Sequence, residues 1–183
     1  MKRVFITILM LLLISFSCFG LLPGSSPVKK VFPRWTSYTN SSYITDLVLD
    51  KNILWAAGGG VTKFDLTAGT RIKYLKEHGL ASNNVQKMVL LDKILWITTA
   101  NGITCFNIKK NTRKSFYKSD GLPDDAVTAV AVDKTGNRIW FGTWEGHLFN
   151  INSAKKKWGL LKAGIKIPDA IITSLVVNPV NGS

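Results

Sequence analysis

The residues of this chain that could do chemistry are few and poorly spaced for it. His78 and His147 are the only imidazoles in 183 residues, each on or beside a turn signal. Neither stands at a spacing that pairs it with a nucleophile or a metal-ligand set. Asp124 and Asp125 are adjacent carboxylates, and sequence neighbours usually diverge. Turn formation therefore suits them better than paired acid and base catalysis. Gly58-Gly59-Gly60 lacks a following helix whose N-terminus would bind an anion, and reads as a turn between strands. Cys105 sits in the alternating segment Ile103-Thr104-Cys105-Phe106, which suits a small strand side chain better than a reactive thiol. No catalytic residue, cofactor, metal site or enzymatic activity is expected.

What must position these residues is a repeat. Trp55, Trp96 and Trp140 recur at intervals of 41 and 44 residues. Each follows an alternating apolar segment that ends on an Asp: Ile44 to Asp50, Val85 to Asp92 and Val127 to Asp133. Each Trp is followed by a Gly or Asn-Gly turn and another short strand pattern, at Val61 to Asp65, Ile103 to Asn107 and Leu148 to Asn152. A fourth pattern closes each unit, at Thr70 to Leu75, Thr112 to Tyr117 and Lys156 to Leu161. Four short strands in about 41 to 45 residues is the signature of a propeller blade. The predicted class is all-β, with three near-complete four-stranded blades at about 44–84, 85–126 and 127–170. Partial flanking strands lie at Arg34 to Thr39 and, as the start of a further blade, at Ile171 to Val177. WD repeats share this period but need a Trp-Asp pair, which the chain lacks. Parallel crossovers would need helical patterns between the strands, and none is convincing.

The links between units are Gly79-Leu80-Ala81-Ser82-Asn83-Asn84 and Gly121-Leu122-Pro123-Asp124-Asp125-Ala126, with a looser version at Ile165 to Ala170. Gly-Leu-Pro and two polar residues, a later Asp, then Ile-Trp-Phe-Gly-Thr resembles the two-component regulator propeller repeat. Residues 121–152 match it best, with Phe141-Gly142-Thr143 at the centre, and the first unit departs from it at Ala56-Ala57-Gly58. The resemblance covers the chain from about Arg34 onward. It implies a propeller outside the cytoplasmic membrane, commonly the sensing part of a hybrid histidine kinase with its output domain elsewhere.

Antiparallel order within a blade puts the links and the second-to-third strand turns on one rim. That rim gathers Glu77, Asp120, Asp124, Asp125, Glu145 and Asp169, with Asn101 and Trp144 between them. Asn101, Asp124, Asp125, Trp144 and Glu145 are the candidate ligand-binding residues, because function concentrates on loops held by a rigid scaffold. The opposite rim is basic, with Lys51, Arg71, Lys93, Lys109, Lys110, Arg113, Lys114, Lys134, Arg138 and Lys155 to Lys157. Solvated turn lysines account for most of that charge, and a weak contact with an anionic membrane surface is the functional alternative.

Composition agrees with a folded domain: 46% of residues are hydrophobic and 19% charged, which excludes disorder as the default. Residues 1–20 carry Lys2 and Arg3, an apolar run from Val4 to Ile14 and a small-residue end, the layout of a secretory signal. Residues 21–33 read as a linker. Export to the periplasm or the extracellular space is expected, with an uncleaved anchor extended by Leu21 and Leu22 as the alternative. Cleavage before Cys18 with lipidation fits less well, because Ser15 stands where such a signal carries Leu. The net charge of +13 suits nucleic acid or anionic membranes, but an exported protein rarely meets nucleic acid. Three blades alone would expose sheet faces and unpaired edges, so an incomplete ring is expected, covered by missing blades in cis or by self-association. The expected function is ligand sensing or protein interaction, with a small molecule, a glycan or a protein as partner. The alternatives are the N-terminal part of a propeller enzyme of lyase or quinoprotein type, and a secreted scaffold.

Overall fold

The structure, a computed structural model, describes residues 43–152, the backbone strand at 157–160, residue 167 and residues 170–178. The leader, the linker, the expected strand at Arg34 to Thr39, and Lys155, Lys156 and Asp169 lie outside the described residues. Among the described residues, twelve strands form three four-stranded antiparallel sheets. The first contains β1 (Asp46–Asp50), β2 (Ile53–Gly58), β3 (Gly60–Asp65) and β4 (Thr70–Tyr74). The second contains β5 (Val85–Leu91), β6 (Ile94–Thr99), β7 (Gly102–Asn107) and β8 (Thr112–Phe116). The third contains β9 (Val127–Asp133), β10 (Arg138–Thr143), β11 (Leu148–Asn152) and β12 (Lys157–Leu160). Each sheet is a meander in which sequence neighbours pair, as the repeat predicts.

Local chemistry sets the turns. In the second sheet Leu91 pairs with Ile94, and both intervening residues, Asp92 and Lys93, have positive φ. That is the backbone a two-residue hairpin needs to follow the strand twist. The wider turns are closed by side chains. Asp65 Oδ1 accepts from the Thr67 and Ala68 N–H groups at 2.9 Å each, and Asn107 Oδ1 accepts from the Lys110 N–H at 2.9 Å. The three repeat tryptophans occupy equivalent places, opposite Val48, Val89 and Ala131 of the preceding strand.

Between sheets the contacts are apolar. Trp55, Tyr74, Leu80, Val85, Leu95 and Phe106 share one buried cluster across the first two blades. Trp96, Leu122, Val127, Phe141 and Phe149 share another across the second and third. Trp55 meets Phe106 edge-on at 5.5 Å and Trp96 meets Phe141 likewise at 5.8 Å, a favoured aromatic geometry. The inner strands are also tied by polar bonds. Thr45 Oγ1 donates to the Val85 carbonyl at 2.9 Å, and the Met88 N–H donates to Asp46 Oδ2 at 2.7 Å.

One strand is not realised. Residues 171–178 carry no assigned strand, although the Ile172 N–H donates to the Thr143 carbonyl at 3.1 Å. They nevertheless lie where a further inner strand would. Thr128 Oγ1 donates to the Ile172 carbonyl at 2.6 Å, repeating the bond from Thr45 to Val85, and Ile172 is buried. The basic rim also needs one revision. Arg113 is not a solvated turn charge: its guanidinium lies over the rings of Tyr74 at 4.5 Å and Phe106 at 4.3 Å, a cation–π arrangement that fastens the outer strand to the blade before it.

Candidate functional site

The links and the second-to-third strand turns do meet on one rim, stitched by backbone bonds. Gly60 N–H donates to the Asn83 carbonyl at 2.7 Å, Ala100 to Asn84 at 3.0 Å, Gly102 to Asp125 at 2.6 Å and Trp144 to Ala126 at 2.9 Å. Each link is thereby held by a turn from the blade on either side. Function placed here would rest on a rigid frame.

The turns themselves differ from blade to blade. Gly59 alone separates β2 from β3, Ala100-Asn101 separate β6 from β7, and Trp144 to His147 separate β10 from β11. The Thr143 N–H donates to the His147 carbonyl at 3.1 Å, so His147 stands where Gly102 pairs with Thr99 in the second blade. One additional residue in the turn has therefore put an imidazole at the start of a strand and pushed Trp144 outward, where it is 59% exposed. His147 Nδ1 lies 3.5 Å from Thr143 Oγ1 and 4.0 Å from Glu145 Oε2.

The five candidate residues have separate fates. Asp125 is structural: its Oδ1 accepts from the Lys118 N–H at 2.5 Å, as Asn83 Oδ1 accepts from Lys76 at 2.6 Å in the preceding link. Asp124 turns inward and is buried, its Oδ1 accepting from the Ala126 N–H at 3.1 Å. Glu145 and His147 approach it, so that Asp124, Glu145 and His147 form one group of possible ligands. Asn101 and Trp144 remain exposed on turn tips. Spacing alone does not single out His147, which stands at no interval that marks a metal-ligand set. The readable signal was the longer interval between Trp140 and its partner Asn150 than between Trp96 and Cys105. His78 is accounted for locally, its Nδ1 accepting from the Leu75 N–H at 3.0 Å. Cys105 is a partly buried residue of β7.

The opposite rim carries clefts. One of about 290 Å³ opens between the first two blades, lined by Asp50, Ile53, Trp55, Lys63, Lys93, Ile108 and Lys109. A second of about 700 Å³ opens between the second and third, lined by Leu90, Leu91, Asp92, Lys93, Lys134 and Asn137. Lys93 Nζ bonds Asp50 at 2.7 Å, which offsets part of the positive charge between them.

Consecutive four-stranded meanders stacked face on face, with inner strand beside inner strand, define β-propeller blades. The likeness read in the repeats is met: residues 121–145, running from the second link through β10 into its turn, match the model described as two component regulator propeller. No curated protein matches the chain. Among solved structures, the extracellular domain of a putative one-component system from B. thetaiotaomicron is similar over 76% of this chain and 19% of its own, with 21% identity and a TM-score of 0.62. The extracellular domain of a putative hybrid two-component system from the same organism is similar over 68% of this chain and 17% of its own, with 17% identity and a TM-score of 0.57. The computationally designed protein Ika4 is similar over 78% of this chain and 82% of its own, with 20% identity and a TM-score of 0.60. At these identities the likeness establishes the fold, and the chain spans less than a fifth of either extracellular domain.

Proposed function

We propose that this chain is an extracytoplasmic propeller module that senses a ligand or binds a partner for a two-component-type signalling system, with no catalysis of its own. The observation that carries the reading is the repeat match at residues 121–145. The likeness to extracellular domains of signalling proteins is consistent with it. A small molecule or glycan would meet the link-and-turn rim, where Trp144 offers an exposed ring of the kind that stacks on flat or weakly polar ligands. The output domain would lie elsewhere in the protein or on a partner. Exposed Leu47 and Leu49 on β1 favour a further blade or a second copy as the cover of that face. The basic clefts favour a second role for the opposite rim, contact with an anionic partner or membrane surface.

Export is tested by fusing the full chain to alkaline phosphatase, which is active only outside the cytoplasm. Active fusions are expected, and inactive fusions at normal expression would remove the sensor reading. Ligand binding is tested by thermal shift of the wild type and Trp144→Ala against oligosaccharides and small metabolites. A ligand that stabilises the wild type should bind Trp144→Ala about tenfold more weakly, the scale of one good aromatic contact. Equal affinity would take the ligand off this rim.

A further inference from the structure

One group on the rim has chemistry that the fold does not use. Asp124 is 8% exposed, and its Oδ1 closes the link turn through the Ala126 N–H. In the preceding link Ser82 does the same work with a single oxygen, its Oγ accepting from the Asn84 N–H at 3.1 Å. The second carboxylate oxygen, Oδ2, is therefore surplus to the turn. It is buried and has no hydrogen-bond partner, a costly state for an ionised group unless a counter-charge sits against it. Glu145 and His147 approach Asp124 from the lengthened turn, and one donor atom from each of the three lies within 4.8 Å of the others. Among these three groups two are acids, so neither can neutralise the other.

The geometry points to a divalent metal site made by Asp124, Glu145 and His147. Two carboxylate oxygens and an imidazole nitrogen form a donor set that suits Zn²⁺ and its transition-metal neighbours, whereas Ca²⁺ and Mg²⁺ prefer oxygen-only shells. Zn²⁺ binds O and N donors at about 2.0–2.2 Å, so donors around one ion stand about 3.5 Å apart. The 4.8 Å limit closes to that with a side-chain movement of about 1 Å. Glu145, with its side chain 55% exposed, is free to make it, while Asp124 is held by the turn. Three protein donors leave a fourth position for water or a ligand. The second blade has no equivalent group, because Ser82, Asn101 and Gly102 stand at the corresponding places. This site stands whether or not the rim binds a sensed ligand.

The test is isothermal titration of the full chain with Zn²⁺, and separately with Ca²⁺ and Mg²⁺, in wild type, Asp124→Asn, His147→Ala and His78→Ala. Asp124→Asn keeps an oxygen for the Ala126 bond, so the turn survives. His147→Ala supplies an independent variant should Asp124→Asn misfold. The expected result is saturable 1:1 binding of Zn²⁺, weakened at least tenfold in Asp124→Asn and His147→Ala and unchanged in His78→Ala. No saturable Zn²⁺ binding by the folded wild type, or wild-type affinity in both Asp124→Asn and His147→Ala, would overturn the proposal.

Discussion

Phe106 is where the dependence of one blade on the next is most concentrated. Its side chain is 1% exposed and touches the first blade through Trp55 at 5.5 Å and Tyr74 at 5.1 Å, with the Arg113 guanidinium at 4.3 Å from its ring. Truncation of a buried Phe costs about 3–5 kcal/mol through lost burial and the cavity left behind. Of that, the aromatic pairs carry about 0.5–1.5 kcal/mol each. Phe106→Ala should therefore lower the unfolding free energy by about 4 kcal/mol, a large share of the roughly 5–15 kcal/mol typical of a domain. Phe106→Leu, which keeps most of the volume but loses both ring pairs, should cost less, about 1–3 kcal/mol. Urea unfolding followed by tryptophan fluorescence reads both, with Ile72→Ala, on β4 and 52% exposed, as a control worth about 0.5 kcal/mol or less. A double-mutant cycle with Trp55→Ala should return a coupling of about 0.5–1.5 kcal/mol. If Phe106→Ala costs no more than Ile72→Ala, or the cycle shows no coupling, the blades do not stabilise one another and stacking is the wrong account of this fold.

Gly102 has φ +101, and an added Cβ would collide with the Phe116 carbonyl oxygen; Gly102→Ala should cost at least about 1–3 kcal/mol from backbone strain alone, and unfolding at wild-type urea concentration would refute the collision. Asp65 and Asp133 are both held below the ordinary carboxylate value of 3.8, Asp65 chiefly by the Ala68 N–H and then Thr67, Asp133 chiefly by the Gly136 N–H and then the Thr135 hydroxyl. A carboxyl depressed in the folded state stabilises fully above its unfolded value and loses that contribution as pH falls through the folded one. The stability gap between wild type and Asp65→Ala or Asp133→Ala should therefore be widest at neutral pH and narrow below about pH 4. A gap of constant size from pH 7 to pH 3 would show that the turn bonds do not favour the ionised form.

Much of the fold was legible because a blade is a local object. The strand boundaries follow from alternation and turn residues close together in sequence. Thus the fourth strands read at Thr70 to Leu75 and Thr112 to Tyr117 end one residue earlier in the structure, at Tyr74 and Phe116. The rim is legible for the same reason, since antiparallel order dictates which turns share an end. The site was less legible. Asp125 and Asp124 look alike in sequence, but one oxygen of Asp125 is spent on the Lys118 N–H, while Asp124 faces inward. Arg113 looks like one more basic turn residue until Tyr74 and Phe106 are seen beneath it.

The sequence alone determined the repeat, the four-strand unit and the equivalence of Trp55, Trp96 and Trp140, because each depends on residues within one unit and on the two-residue period of a strand. Tertiary structure decided which side chains face each other across blades. Asp124 belongs to a link, while Glu145 and His147 belong to a turn at the far end of a strand pair. The antiparallel pairing of β9 and β10 returns that turn to the link, and one extra residue in the turn accompanies the meeting of a buried carboxylate, an exposed carboxylate and an imidazole within 4.8 Å. Antiparallel order puts the link and the turn on one rim, but which of their side chains turn inward towards each other is fixed by packing and not by the spacing of residues.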